Sequence, residues 1–241
     1  YDTKRKNIKV HFSFKGKTHR HGYFLEGKLA LLDEENEWFY NPKSKDVYLW
    51  APDGKHPKNF KIKGKTQSYA FDIANSSYIK LEGLNFFGTT FKANESHHMT
   101  VEDCNFMYPS YSKRILGDLS LTDVSSMQAR KKQTKTYNTI RNCKFEYMDG
   151  PVLDMNGWNN VVENNYMHNI DYSCTYKGGY TLNMSQATQL LFRRNTVHTT
   201  GASEMYKAGV RNTIELNDLS KSGHLQNDGS LVQVSVASQD K

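Results

Sequence analysis

The heptapeptide TVEDCNF (residues 100–106) decides the fold, because five other heptapeptides of the same pattern recur along the chain. The second and seventh residues of each heptapeptide are apolar, and the residues between them are mostly polar or charged. The ends of successive heptapeptides are 20, 39, 22, 30 and 22 residues apart. This pattern is typical of short strands around a bend, with no helical period of 3.6 residues. The six are KLEGLNF (80–86), TVEDCNF (100–106), TIRNCKF (139–145), VVENNYM (161–167), LFRRNTV (191–197) and TIELNDL (213–219).

A repeating unit of about 22 residues predicts a solenoid, in which each coil packs on the next. Leucine-rich repeats have a similar length, but they need several leucines and a helix in each unit, which these units lack. The fifth heptapeptide position favours a parallel β-helix instead, because stacked Asn amides about 4.8 Å apart can hydrogen-bond in a ladder. We therefore predict an all-β fold, a right-handed parallel β-helix of about six to seven coils. The fifth position is occupied by Leu84, Cys104, Cys143, Asn165, Asn195 and Asn217.

A further short strand precedes each heptapeptide by nine or ten residues in most coils. Strand alternation turns its middle residue outward, which predicts a surface column running along the solenoid. Lys207 does not fit this alternation, so either the register shifts by one residue there or its ammonium group has a special environment. The predicted outward column is Asp72, Lys92, Ser120, Asp154, Asn183, Tyr206 and Val232.

Two coils carry insertions, over residues 107–138 and 168–181, and long loops on a regular scaffold are often functional. Residues 1–66 are different: aromatic strands at 38–40 and 47–50 flank a Pro/Lys/Ser turn. We predict a β-hairpin or meander over 1–66 that packs on the first coils, and the β-helix over 67–241. The chain begins with Tyr1 and ends soon after an apolar strand, which predicts a removed leader or a longer parent protein.

Composition limits the function classes. The net charge of +7 lies wholly within residues 1–66, where 15 Lys and Arg face 8 Asp and Glu, while residues 67–241 are balanced. No apolar run approaches the roughly 20 residues that span a bilayer, so no membrane insertion is expected. No basic stripe with interleaved aromatic residues indicates a nucleic-acid partner. Three cysteines without a CxxC motif favour neither a disulfide framework nor a structural zinc site.

The heptapeptides with their Asn column resemble the right-handed parallel β-helix superfamily of polysaccharide-active proteins, which is pectate-lyase-like in fold. The resemblance extends from about residue 67 to residue 241. It implies a polysaccharide ligand, anionic or neutral, and a secreted, periplasmic or cell-surface location of bacterial type. The superfamily includes hydrolases, lyases and non-enzymatic adhesins, so the fold alone does not choose among them.

The segments HTTGASEMYKAG (198–209) and NDGS (227–230) resemble a pair found in glycan-degrading β-helix proteins. The resemblance singles out His198, Glu204, Lys207 and Asp228. Lyases of this fold use a Lys base and an Arg one coil later, with acidic residues that bind Ca²⁺. Here no Arg follows Lys207 at that distance. No cofactor is required, and Ca²⁺ bound by Asp, Glu or Asn oxygens is an option without a ligand set of specific spacing.

Glycoside hydrolysis needs two carboxyl groups on either side of the scissile bond. Glu204 and Asp228 are 24 residues apart, about one coil, which would place them on neighbouring rungs. We therefore predict hydrolysis by this pair, with Asp154 as the alternative carboxylate and His198 as a proton relay. Elimination with Lys207 as the base is the alternative reaction, and a non-catalytic glycan-binding or adhesive protein is the alternative class.

Aromatic and polar side chains near the predicted groove could contact sugar rings. The sequence gives no metal-ligand spacing, so no metal site is assigned. The oligomeric state and the identity of the glycan stay open. The predicted substrate-binding residues are Tyr206, Asn183, Tyr172, Tyr176, Lys177 and Trp158.

Overall fold

A computed structural model describes residue 25 and residues 27–111, 124–129, 134–171, 180–225 and 229–234. The chain divides into two compact units, one that ends at Lys63 before the repeats and one that begins at Gly64. Because the units are separate, packing of the first unit on the coils stays a prediction.

The first unit contains the predicted hairpin. Strand β1 (Trp38–Asn41) pairs antiparallel with strand β2 (Asp46–Leu49). The Asn41 side chain accepts a hydrogen bond of 3.0 Å from the backbone N–H of Lys43, which stabilises the turn. Short 3₁₀ helices occupy Leu29–Leu31, Pro52–Gly54 and Pro57–Asn59.

The second unit consists of three parallel sheets whose strands follow one another coil by coil. This arrangement confirms the predicted parallel β-helix. Sheet 1 contains β3 (Tyr69–Ala74), β6 (Thr90–Asn94), β9 (Ser125–Gln128), β12 (Leu153–Trp158), β15 (Tyr180–Thr188), β18 (Glu204–Ala208) and β21 (Val232–Val234). Sheet 2 contains β4 (Lys80–Glu82), β7 (Thr100–Glu102), β10 (Thr139–Arg141), β13 (Val161–Glu163), β16 (Leu191–Arg193) and β19 (Thr213–Glu215). Sheet 3 contains β5 (Asn85–Phe87), β8 (Asn105–Met107), β11 (Lys144–Met148), β14 (Tyr166–Ile170), β17 (Thr196–Thr200) and β20 (Asp218–Ser220).

Each heptapeptide forms a strand of sheet 2, a bend, and the start of a strand of sheet 3. The fourth heptapeptide residue has a positive φ of 53° to 65° in every coil. Gly, Asp and Asn adopt this left-handed conformation at low cost, which explains their frequency at that position. The fourth position is occupied by Gly83, Asp103, Asn142, Asn164, Arg194 and Leu216.

The other two corners of each coil also contain a left-handed residue, with φ between 49° and 68°. These residues form two more columns along the solenoid. The corner column after sheet 3 consists of Gly88, Tyr108, Tyr147, Asn169, Thr199 and Lys221. The corner column before sheet 2 consists of Tyr78, His98, Tyr137, Asn159, Gln189 and Arg211.

The apolar columns form the core, as the repeat predicts. In sheet 3, Phe86, Phe106 and Phe145 stack with ring centroids 4.4 and 4.5 Å apart and planes within 10° of parallel. Each of these side chains is buried. Offset ring stacking adds to the free energy gained from burial alone. The second heptapeptide position stacks in register along sheet 2, through Leu81, Val101, Ile140, Val162, Phe192 and Ile214.

The predicted amide ladder is also present at the bend. The Asn165 side-chain amide donates to Asn195 Oδ1 at 3.0 Å, and the Asn195 amide donates to Asn217 Oδ1 at 3.1 Å. Each Oδ1 also accepts the backbone N–H of the residue one coil earlier, for example Asn165 N–H to Asn195 Oδ1 at 3.0 Å. The ladder therefore satisfies buried polar groups that the bend leaves unpaired.

Cys104 and Cys143 continue this ladder as free, buried thiols. The Cys143 sulfur lies 3.2 Å from the Arg141 carbonyl and 3.6 Å from the Val101 carbonyl one coil earlier, where an asparagine amide donates in later coils. Burial raises the pKa of the Cys143 thiol to about 12. The two cysteines therefore have the predicted structural role in the described part of the chain.

One predicted strand differs. In the long coil, β9 (Ser125–Gln128) occupies the place in sheet 1 between β6 and β12, where residues 119–121 were predicted. Met127 of β9 is fully buried, as the core requires. Residues 119–121 lie outside the described residues, so the structure corrects only the position of the sheet 1 strand in this coil.

Gly209 is expected to be intolerant of a side chain. A Cβ at this position would lie 1.9 Å from the Ala187 carbonyl oxygen and 2.5 Å from that of Met184. Because both contacts are with backbone, Gly209→Ala should lower the free energy of unfolding by about 2 kcal/mol, measured by urea denaturation. Gly64→Ala is the control, since a Cβ there meets open space. An equal effect of the two variants would contradict this packing argument.

Within the described residues, no helix has both the length and the apolar character needed to cross a membrane.

Candidate functional site

The outer face of sheet 1 carries a continuous column of polar side chains. Strand registers align Asp72, Lys92, Ser126, Asp154, Asn183, Lys207 and Gln233 across the seven strands. We call this set the sheet 1 column. It contains four of the predicted members, while Ser126, Lys207 and Gln233 replace Ser120, Tyr206 and Val232.

Tyr206 is not an exposed sugar-binding residue, contrary to the prediction. It pairs with Leu182 and is fully buried. Its ring lies 4.6 Å from that of Phe192, and its hydroxyl oxygen accepts a hydrogen bond from Asn212. Burial raises the pKa of the Tyr206 hydroxyl. The register is shifted by one residue because a buried tyrosine costs far less free energy than a buried lysine ammonium group.

Lys207 points outward as a consequence and contacts Tyr180. Its Nζ donates a hydrogen bond to the Tyr180 hydroxyl and lies 3.9 Å from the centroid of the same ring. Both residues are only partly exposed. Tyr180 lies at the end of the second insertion, and no sequence pattern singles it out. The pair places an amine and a phenol in direct contact on sheet 1.

Asp154 lies two rungs from Lys207 in the sheet 1 column, with Asn183 between them. Rungs are about 4.8 Å apart, so the two backbones are separated by roughly 10 Å. Burial raises the pKa of the Asp154 carboxyl, although the Gln128 side chain partly opposes this shift. Asn183 Oδ1 accepts hydrogen bonds from the backbone N–H and hydroxyl of Ser185. These bonds fix the orientation of the Asn183 side chain, one rung from Asp154.

The predicted pair of Glu204 and Asp228 does not form an open carboxylate pair among the described residues. Glu204 is 6% exposed, and its Oε2 accepts a hydrogen bond of 3.1 Å from Ser203. The backbone of Gly229 covers it, since a Cβ on Gly229 would lie 2.3 Å from Glu204 Cδ. Glu204 is therefore covered at the start of β18 and does not face the groove. Asp228 lies outside the described residues.

The remaining predicted binding residues fall in two groups. Trp158 ends β12 on the same coil as Asp154 and is partly exposed. Its backbone N–H and carbonyl hydrogen-bond to Thr134 and Thr136. Tyr172, Tyr176 and Lys177 lie outside the described residues, so their role stays a prediction.

His198 lies on sheet 3, away from the sheet 1 column. Its Nε2 is 2.9 Å from the Tyr166 hydroxyl, and its ring stacks on that of His168 with centroids 5.4 Å apart. Burial, followed by the neighbouring charges of His168 and Lys221, lowers the pKa of His198. It therefore belongs to a separate cluster, on a different sheet from Lys207.

This cluster contains residues that the sequence reasoning missed. His168 Nε2 is 2.6 Å from Glu146 Oε1, and Lys144 Nζ is 2.9 Å from Glu146 Oε2. Burial alone would raise the pKa of Glu146, but the hydrogen bonds from Lys144 and His168 leave it lowered. The missed signal is an eighth repeat position, one residue beyond each heptapeptide. That position holds Phe87, Met107, Glu146, His168, His198 and Ser220.

The outer face of sheet 2 is different again, because its charges pair with one another. Glu102 binds Lys80 at 2.9 Å and Arg141 at 2.8 Å, and Arg193 binds Glu163 at 2.8 Å. Hydrogen bonds from Arg141 and Lys80 lower the pKa of Glu102. This face forms an ion-pair network along the coils and offers no reactive group.

The part of the chain that the structure describes contains no group of three or more His, Cys, Asp or Glu side chains arranged to hold a metal ion. A Ca²⁺ site that draws ligands from other residues stays untested.

Comparisons with protein-family models, with curated proteins and with solved structures found no match to this chain.

Proposed function

We propose that this chain is an exported polysaccharide-cleaving enzyme that acts on a uronate-containing glycan by β-elimination. The reaction centre would be the part of the sheet 1 column formed by Asp154, Asn183 and Lys207, together with Tyr180. The observation that carries the proposal is the hydrogen bond from Lys207 Nζ to the Tyr180 hydroxyl. The same column contains Asp154, whose carboxyl group has a raised pKa.

Elimination needs a base, an acid and a group that neutralises the sugar carboxylate. The base removes the proton from the carbon next to the carboxylate, the carbon–oxygen bond to the leaving sugar breaks, and a double bond forms. In the proposed assignment Lys207 takes that proton, and the Tyr180 hydroxyl donates one to the leaving oxygen. The hydrogen bond from Lys207 to Tyr180 holds the two side chains close enough to act on the same sugar unit.

Asp154 and Asn183 suit the third requirement. Because burial raises the pKa of Asp154, its carboxyl keeps a proton at a higher pH than usual. A protonated carboxyl can donate a hydrogen bond to the sugar carboxylate, and the amide of Asn183 can donate a second one. Two such donors would stabilise the negative charge that builds up on the carboxylate in the transition state.

Hydrolysis is the second candidate, and the raised pKa of Asp154 favours it as a general acid. The second carboxyl group must then be supplied by a residue such as Asp228, since Glu204 is covered. Both elimination and hydrolysis imply export of the chain, because polysaccharides of this kind occur outside the cytoplasm.

One assay separates these reactions. The purified chain is incubated with alginate, polygalacturonate, chondroitin and hyaluronan, and with xylan and mixed-linkage β-glucan as neutral polymers. We expect reducing ends and ultraviolet absorbance of an unsaturated uronate to rise together on at least one anionic polymer. Reducing ends without that absorbance would indicate hydrolysis and overturn elimination. Neither signal on any polymer would overturn cleavage and favour a glycan-binding or adhesive protein.

A further inference from the structure

The outer face of sheet 3 carries five aromatic rings, one from each of five consecutive coils. Neighbouring centroids are 5.4 to 5.8 Å apart, and the contacts alternate between edge-on and stacked. At the strand spacing of about 4.8 Å, five coils span roughly 19 Å. We call this row the ring ladder, and its members are Phe87, Tyr108, Tyr147, His168 and His198.

The ring ladder is exposed over its first three members. Phe87 is 51% exposed, Tyr108 48% and Tyr147 38%. Tyr166 lies beside the ladder and is 40% exposed. A contiguous row of exposed rings is uncommon on a soluble surface and marks a site of interaction.

Two of these rings also occupy costly backbone positions. Tyr108 and Tyr147 have φ of 53° and 55° in the corner column after sheet 3. The next coil has Asn169 at the equivalent position, and Asn tolerates this conformation better than a bulky aromatic residue. Both rings are exposed at these corners and gain little burial there.

We propose that the ring ladder is a binding surface for a linear, uncharged polysaccharide, separate from the reaction centre on sheet 1. Sugar rings would lie on the exposed tyrosine and phenylalanine faces. Binding at this surface does not depend on the proposed elimination, because it involves a different sheet and needs no bond to break.

The size of the surface argues against a protein partner. At about 200 Å² for each aromatic side chain, the exposed parts of Phe87, Tyr108, Tyr147 and Tyr166 amount to roughly 350 Å². A stable protein interface needs about 800 Å² on each partner. A strip one ring wide suits a narrow, extended polymer instead.

The charges of the face argue for an uncharged ligand. The described charged residues beside the ladder are the cations Lys65, Lys144 and Lys221 and the carboxylates Glu146, Asp149 and Asp218. A single-stranded nucleic acid also stacks on aromatic rows, but it needs a positively charged groove. This face has no excess positive charge among its described residues.

Polar groups at the edge of the ladder can bind sugar hydroxyls. The Asn105 amide donates to Asn85 Oδ1 at 2.9 Å in solvent, so both side chains are held at the surface. The Glu146–His168 pair lies at the middle of the row. Oriented amide, imidazole and carboxylate groups beside exposed rings provide both donors and acceptors for a hydroxyl-rich ligand.

The test is native affinity electrophoresis of the whole chain in gels that contain galactomannan, xyloglucan, arabinoxylan or mixed-linkage β-glucan, with alginate and polygalacturonate for comparison. We expect at least one neutral polymer to retard the chain. Tyr108→Asn combined with Tyr147→Asn should weaken that retardation about tenfold, because two stacking faces are lost while Asn keeps the corner conformation.

The matched control combines Tyr78→Asn with Tyr137→Asn. These exposed tyrosines have φ of 60° and 49° at the equivalent positions of the corner column before sheet 2, where they stack on either side of His98. The control should leave retardation unchanged, and melting curves of both double variants establish that they fold. No retardation by any neutral polymer, retardation by anionic polymers alone, or equal losses in both double variants would overturn the proposal. Lys207→Met should retain full retardation, so loss of cleavage and loss of binding can be told apart.

Discussion

Lys207→Met is expected to lower the rate of glycan cleavage by about 10²–10⁴-fold, the usual contribution of a positioned proton-transfer group. The methionine retains an unbranched apolar stem of similar length above the Tyr180 ring, where Lys207 Nζ now lies 3.9 Å from the centroid. It removes the amine that donates to the Tyr180 hydroxyl. The initial rate of double-bond formation, measured on the polymer that the wild-type chain cleaves, gives the size of the loss.

Lys92→Met is the matched control for this change. Lys92 lies in the same sheet 1 column, its Nζ is 5.0 Å from the centroid of the Tyr69 ring, and it binds Asp72 at 2.9 Å. It therefore resembles Lys207 in surroundings but lies four rungs away. We expect its replacement to change the rate by less than about threefold, because surface ion pairs contribute little. Equal losses in the two variants would contradict a chemical role for Lys207.

A comparison of the single variants Asp154→Asn and Lys207→Met separates elimination from hydrolysis. If Lys207→Met retains activity while Asp154→Asn abolishes it, the carboxyl is the essential acid and the hydrolytic assignment replaces the one proposed here. Under elimination, the asparagine still donates a hydrogen bond to the sugar carboxylate. The Asp154→Asn variant should then cleave the glycan faster than the Lys207→Met variant.

The repeat explains why most of the fold could be predicted. The heptapeptides alone identify which residues stack, because a residue such as Val101 recurs as Ile140 and Val162 at the same position of later coils. The fifth position likewise predicts the amide ladder, since stacked asparagines satisfy one another only when the coils are in register. Periodicity therefore determines neighbours that are 20 to 40 residues apart in the sequence.

The errors arise where the repeat is interrupted. The strand of the long coil lies at Ser125–Gln128, and no spacing rule fixes how much of a 39-residue coil forms the corner. At β18, alternation within Met205, Tyr206 and Lys207 predicts the wrong face, because Met205 and Tyr206 are both buried. The pairing of Tyr206 with Leu182 determines the register, and this pairing is a long-range contact.

The candidate site could be predicted only in part for the same reason. Asp154 and Asn183 follow from the predicted outward column, and Lys207 follows from the resemblance of the segment 198–209, but Tyr180 comes from an insertion that has no equivalent in other coils. The cluster of Glu146, His168 and His198 has the same spacing as the heptapeptides and lies one residue beyond them. Extending the repeat by a single position would have found it.

Asn195→Ala is expected to be strongly destabilising, by about 3–5 kcal/mol, because Asn195 lies at the centre of the buried ladder. Its Oδ1 accepts both the backbone N–H and the side-chain amide of Asn165 at 3.0 Å. Its amide donates to the Val162 carbonyl at 2.9 Å and to Asn217 Oδ1 at 3.1 Å. Alanine would remove one hydrogen-bond partner from each of several buried polar groups. The measurement is urea unfolding, with a fall of roughly 10 °C in the melting temperature as a second readout.

Asn195→Cys tests whether hydrogen bonding is the cause, because Cys104 and Cys143 already occupy this column in earlier coils. The Cys143 sulfur lies 3.6 Å from the Val101 carbonyl of the preceding coil. A thiol at residue 195 can therefore replace, more weakly, the contact with the Val162 carbonyl. We expect Asn195→Cys to lose about half as much free energy of unfolding as Asn195→Ala. Asn105→Ala is the surface control, since its amide bond to Asn85 is exposed and should be worth less than about 0.5 kcal/mol. If the cysteine and alanine variants are equally unstable, packing volume and not the ladder of hydrogen bonds holds the bend.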